Sequence, residues 1–156
     1  MAYIKVVERT QSHKYRDENT YDDLIHYCSN PLKMASYGLV NLKSIETAPS
    51  EMEMIAQTFK KTFGKRISHT IISFSKQEVS TVSVAENIAA ACARYYANRY
   101  QVFYCVHMEP NPHIHMIMNR VSFVDGMKYP DKYADRSSFW QHVRYVLNGY
   151  GIFLWK

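Results

Sequence analysis

HMEPNPHIHMIMN, residues 107–119, gathers three of the chain's seven histidines around two prolines. QVFYCVHME at 101–109 and HIHMIMNRVSF at 113–123 are rich in β-branched, aromatic and other apolar residues, which predicts two strands. Pro110-Asn111-Pro112 is the turn between them, so the strands pair as a hairpin. Side chains alternate faces along a strand. His113 and His115 therefore point one way, and Ile114, Met116 and Met118 point the other, into a core. Two imidazoles about 7 Å apart on one strand face can share a metal ion. His107, on the paired strand, can supply a third ligand, and three histidines leave coordination positions open, as a catalytic metal requires. The competing reading is three surface histidines with no joint role.

Outward from this hairpin the chain alternates strands and helices. YIKVVE (3–8) reads as a strand and the polar stretch 10–19 as a loop. Asn19 or Thr20 caps a helix, YDDLIHYCS, whose first turn carries Asp22 and Asp23, where the helix dipole favours acids. Asn30-Pro31 ends it. SYGLVNL (36–42) reads as a strand. Pro49 and Ser50 open a helix through Phe63, with Met52, Ile55, Phe59 and Phe63 on one face and Gly64 as its stop. SHTIISF (68–74) is a further strand. Ser80 or Thr81 begins a helix through Arg99, with Val84, Ile88, Cys92 and Tyr95 in line. Asp125-Gly126 makes a tight turn, and Ser137-Ser138 precede a last helix through Leu147, stopped by Asn148-Gly149. The pattern predicts an α+β fold: a largely antiparallel sheet of about five strands with helices packed on it. Residues 1–156 show no repeat or linker, so one domain is expected.

Composition narrows the function classes. Hydrophobic residues make up 47% and charged residues 21%, as in a globular chain rather than a disordered one. No apolar run reaches the roughly 18 residues that span a bilayer, and MAYIKVVERT lacks a signal-peptide core, so a cytoplasmic protein with no membrane partner is expected. Cys28, Cys92 and Cys105 are odd in number and scattered, which argues against a disulfide framework or a CxxC zinc site and for reduced, partly buried thiols. The net charge of +5 and pI of about 9.0 suit a polyanionic partner. Thirteen tyrosines interleaved with Lys and Arg suit stacking on single-stranded bases, although for any single tyrosine packing in the core or at its edge is the better reading.

HMEPNPHIHMIMNRVSFVDGMKY, residues 107–129, resembles the metal motif of the relaxase/mobilization nuclease family, within the superfamily of single-strand endonucleases named for a His-hydrophobic-His (HUH) pair. The matching residues are His107, Glu109, His113, His115 and Asn119, then DGMKY at 125–129. Glu109 stands where the family usually has Asp, and the turn after His107 is one residue shorter. LIHYCSNPLK (24–33) is similar to the family's first motif, SHTIISFSKQE (68–78) to its second, and residues 136–151 to the short helix ending in Tyr-Gly.

The resemblance implies an HUH-like fold and metal-dependent, site- and strand-specific DNA nicking with strand transfer. It implies His107, His113 and His115 as ligands of a divalent cation, Mg²⁺ or Mn²⁺. It places the nucleophile, which forms a 5′-phosphotyrosyl link, at Tyr27. It implies single-stranded DNA at a transfer origin as partner, with accessory relaxosome proteins, during conjugative transfer or mobilization of a plasmid or integrative element. Family members usually continue past this domain.

Helix geometry offers an independent view of the tyrosine. At about 100° per residue, Tyr21, Leu24, Ile25 and Cys28 share one apolar stripe, and Tyr27 lies to its side. Tyr15 and Tyr37 are the alternatives. Glu109 is expected to orient a ligand histidine, or else to be a solvated turn acid. His69 is expected to touch the phosphate or assist proton transfer, or else to be a strand-end histidine satisfied by backbone. Lys33, Arg66, Arg120 and Lys128 are candidate DNA contacts, each otherwise a solvated charge. Two rival readings stand beside the relaxase. One is a replication initiator or transposase of the same superfamily, with its tyrosine after the metal motif, at Tyr145 or Tyr150. The other is a non-catalytic single-stranded-DNA-binding module.

Overall fold

The computed structural model describes residues 1–7 and 19–155. Tyr15 and most of the expected 10–19 loop lie outside the described residues. The strands are β1 (Ala2–Val6), β2 (Met34–Val40), β3 (Ile67–Ser73), β4 (Val102–His107), β5 (His113–Asn119) and β6 (Leu154–Trp155). The helices are α1 (Thr20–Cys28), α2 (Ala48–Thr58), α3 (Val82–Ala93) and α4 (Tyr133–Asn148), with a 3₁₀ turn at Arg94–Tyr96.

The strands form one six-stranded sheet in the order β2-β4-β5-β3-β1-β6. Every pairing is antiparallel except that of β6 with β1. The expected α+β class and largely antiparallel sheet hold. The sixth strand is a correction: two residues are too few to carry a periodicity. The expected hairpin forms, with His107 directly opposite His113.

Alternation along the central strands divides the core between two faces. Val102, Tyr104, Val106, Ile114, Met116 and Met118 pack under α3 and α4. Phe103, Cys105, Ile117 and Ile67 pack under α1 and α2. The histidine face is therefore itself a core over part of its length, roofed by helices that come early in the chain. Buried Asn119 stitches this roof down. Its amide donates to Met52 O at 3.2 Å and Gln101 Oε1 at 3.0 Å, and its oxygen accepts from Tyr21 Oη at 3.0 Å. A polar group at 0% exposure needs such partners, because an unpaired one costs about 1–3 kcal/mol.

Several boundaries differ from expectation. Helix α2 ends at Thr58, Lys60 takes a positive φ of 57°, and Phe63 is exposed. Its buried residues are Ala48, Met52 and Ala56, so of the four expected on the buried face only Met52 is fully buried. Helix α4 starts at Tyr133, ahead of Ser137-Ser138, since Asp135 Oδ2 accepts the Lys132 backbone N–H at 2.9 Å and caps that earlier turn. Helix α3 ends at Ala93, six residues short, and passes into the 3₁₀ turn. Strand β5 stops at Asn119, and only a bridge between Val121 and Lys128 continues the second hairpin. In β2, a Cβ on Gly38 would meet the Tyr104 ring at 2.0 Å, so the glycine lets that ring cross the strand. No described helix is long and apolar enough to cross a membrane.

Candidate active site

The β4–β5 register brings three imidazoles together. Ring centroids lie 5.1 Å apart for His107–His113, 4.7 Å for His107–His115 and 5.1 Å for His113–His115. One ligand atom from each ring falls within 4.8 Å of the others. The second nitrogen of every ring is already engaged. His107 Nε2 donates to Cys28 O at 2.8 Å, and His113 Nδ1 donates to Asn111 O at 2.7 Å. His115 Nδ1 meets His69 Nε2 at 2.9 Å. A neutral imidazole carries one N–H, so giving it to an acceptor leaves the other nitrogen with a lone pair. That leaves His107 Nδ1 and His113 Nε2 for a cation, and His115 Nε2 as well when His115 Nδ1 is the donor to His69. Burial, with His69, His107 and His113 adding to it, pushes the His115 pKa down to about 3. Burial also lowers that of His107, against the opposing pull of the Cys28 carbonyl. Both rings are thus neutral at pH 7, the form that binds metal.

Helix α1 delivers the tyrosine. Tyr21, Leu24, Ile25 and Cys28 are buried as the apolar stripe requires, and Tyr27 is 59% exposed. The helix closes with the Ser29 N–H on Ile25 O. Asn30 then turns the chain: its carbonyl accepts from the Lys33 and Met34 amides and its side chain from the Leu32 amide. Cys28, in the last turn, has no later helical N–H to bond, and its carbonyl takes the His107 N–H. One hydrogen bond therefore ties the helix that carries Tyr27 to the histidine cluster. Tyr27, Lys33, His107, Glu109, His113 and His115 line one pocket of about 700 Å³.

The other expected site residues fare differently. His69 does not line this pocket; it is 3% exposed and engaged with His115. Its contact is with His115, on the far side of that ring from the pocket. Glu109 lines the pocket but is 81% exposed at its side chain and pairs with Lys76 at 3.4 Å. The groups that meet the far nitrogens of the rings are instead two backbone carbonyls and His69. Of the four candidate DNA contacts, Lys33 alone lines the pocket. Arg66 is buried against Glu53 at 2.8 Å and Thr62 O. Arg120 is held by Asp131, Ile67 O and Ser68 Oγ. Lys128 donates to Phe63 O at 2.6 Å. Each of these three side chains is tied to another part of the chain.

Among the alternative tyrosines, Tyr21 is buried with its hydroxyl on Asn119, and burial pushes its pKa well up. Tyr37 stacks on Phe103 outside the pocket. Tyr145 lies on α4, whose buried residues join the core on the opposite face of the sheet. Tyr150, in the turn after α4, does not line the pocket either. The Cys28 and Asn111 carbonyls carry no signal in a side-chain pattern. The His69 contact was partly legible, since His69 and His115 fall on one sheet face once β3 and β5 pair.

A comparison with protein families matches residues 27–152 to the model described as Relaxase: MobA/VirD2-like, nuclease domain. The matched span opens on the pocket tyrosine and contains all three clustered histidines. A comparison with curated proteins finds no match.

Proposed function

The chain belongs to the relaxase family, as a MobA/VirD2-like nuclease domain, and on that premise we propose that it nicks one strand of DNA and holds the cut end on Tyr27. The observation that carries this reading is the shared pocket: an exposed tyrosine and three imidazoles face the same space. Tyr27 Oη attacks the scissile phosphorus. The bond from phosphorus to the 3′-oxygen breaks, a tyrosyl–phosphorus bond forms, and the phenol gives up the proton that the departing 3′-hydroxyl gains. One phosphoester replaces another, so the strand can be rejoined by the reverse attack without an external energy source.

The donor set fits a divalent cation: three histidines, each with a partner on its far nitrogen, a carbonyl for His107 and His113 and His69 for His115. His107, His113 and His115 would hold Mg²⁺ or Mn²⁺. Such an ion offsets and polarises phosphate charge. The protein's own part is to present Tyr27 on a helix end tied to His107, with Lys33 beside it for the phosphate. Single-stranded DNA at a transfer origin of a mobile element is the substrate this reading names.

The test is covalent capture. A 3′-labelled oligonucleotide incubated with Mn²⁺ and denatured should carry its label onto the wild-type chain and not onto Tyr27→Phe. An adduct that persists in the variant removes Tyr27 as nucleophile. A chain that binds the oligonucleotide but forms no adduct would be a non-catalytic binding module.

A further inference from the structure

The histidine that closes the triad also belongs to a second donor set. One ligand atom each from Cys28, His69 and His115 lie within 4.8 Å of one another, and all three residues are buried. Neither Cys28 nor His69 lines the pocket, so this set sits behind the triad. Cys28 serves twice: its carbonyl takes the His107 N–H, and its sulfur joins His69 and His115. Cys105 Sγ, 3.4 Å from Cys28 O and 3.6 Å from His107 Nε2, is a neighbour and not one of the three donors.

The two sets differ in chemistry. The triad offers three nitrogens beside an open pocket, which suits an ion that keeps exchangeable positions. The buried set offers a sulfur and two nitrogens away from solvent. Thiolate with imidazole selects soft or borderline ions such as Zn²⁺ over Mg²⁺ or Mn²⁺.

We infer that Cys28, His69 and His115 form a second, thiolate-bearing site for a soft divalent cation such as Zn²⁺, sharing His115 with the triad. On binding, the Cys28 thiol releases its proton to solvent as the sulfur–metal bond forms. The hydrogen bond between His115 and His69 breaks, and His115 Nδ1 gives its lone pair to the ion. A neutral imidazole keeps one proton, which then sits on Nε2, the nitrogen the triad uses. A soft ion in the rear site therefore withdraws His115 from the front one. This last consequence rests on the proposed nicking reaction; the rear site itself does not.

The test uses Co²⁺ on the intact chain, because a cobalt–thiolate bond gives a near-ultraviolet charge-transfer band that nitrogen ligands alone do not. The band should appear in the wild type and in His113→Ala, which disables the triad only. It should vanish in Cys28→Ala, with thermal melts confirming that the variant folds. Should that variant fail to fold, His69→Ala replaces it and should weaken Co²⁺ binding at the band by at least tenfold. No thiolate band in the wild type at saturating Co²⁺, an equal band in Cys28→Ala, or unchanged affinity in His69→Ala overturns the site. Zn²⁺ should also inhibit Mn²⁺-supported nicking at least tenfold more weakly in Cys28→Ala, each protein measured against its own uninhibited rate. Equal inhibition would overturn the link to the triad, and a chain with no nicking at all would leave the absorption result to decide the site.

Discussion

His69 Nε2 stands 2.9 Å from His115 Nδ1, with the two rings stacked at 5.1 Å between centroids. The contact sets which nitrogen of His115 can face the pocket. When His115 Nδ1 donates, Nε2 keeps its lone pair. Replacing His69 by Ala should leave His115 free to take the wrong tautomer and should lower Mn²⁺ affinity about 10–100-fold. His69→Gln, whose amide oxygen can accept the same proton, should recover part of it. Calorimetry on the three proteins checks this, and equal affinities would show that the contact does not orient the ligand.

The triad itself should be separable from the nucleophile. His113→Ala should abolish Mn²⁺ binding and the tyrosyl adduct together. Tyr27→Phe should lose only the adduct, because the ring stays and the three imidazoles are untouched. Calorimetry paired with covalent capture reads both. Metal binding lost in Tyr27→Phe would mean that the phenol is itself part of the cation site.

Tyr21 and Tyr27 share helix α1 but should behave oppositely. Tyr21→Phe removes the hydroxyl on Asn119 Oδ1, which still accepts from the Val121 amide at 3.2 Å. The expected loss is about 1 kcal/mol of stability with adduct formation intact. Urea unfolding and the capture assay together test it; loss of the adduct in Tyr21→Phe at full folding would reopen the choice of nucleophile.

Asp131 joins Arg120 and Arg136, and all three side chains are largely sheltered. Burial works against its ionised form, but the hydrogen bond from Arg136 and the charges of Arg120 and Arg136 outweigh it and hold the pKa below the usual range. A carboxylate depressed on folding contributes stability above its unfolded pKa of about 3.9 and loses it as pH falls through the folded value. Asp131→Asn should cost about 3 kcal/mol at pH 7 by taking from two sheltered arginines the carboxylate they share, and the gap to wild type should shrink below pH 4. Denaturant melts at pH 7 and pH 3 measure it. A gap independent of pH would show that charge is not what Asp131 contributes.

Lys33 is the pocket's cation, so its removal should show in salt dependence. Lys33→Ala should reduce the log–log salt slope of single-strand binding by about 0.7, the value of one phosphate contact. An unchanged slope would place the DNA elsewhere.

The facing of the histidines and of Tyr27 was legible in the sequence. Alternation alone put His113 and His115 on one face, the prolines at 110 and 112 made the hairpin, and the stripe Tyr21-Leu24-Ile25-Cys28 turned Tyr27 away from the core. These are short-range properties, set by backbone periods of 2 and 3.6 residues, and they survive without knowledge of neighbours. Tertiary structure decided what periodicity cannot encode. Arg66, Arg120 and Lys128 look like free cations in a basic chain, yet each found a carbonyl or carboxylate brought close by folding. Glu109 stayed in solvent, and the task of orienting the histidines passed to Cys28 O, Asn111 O and His69. A carbonyl is present in every residue, so nothing in the residue type marks the one that will face an imidazole. Cys28 and His107 are 79 positions apart; only the packing of α1 across β4 could join them.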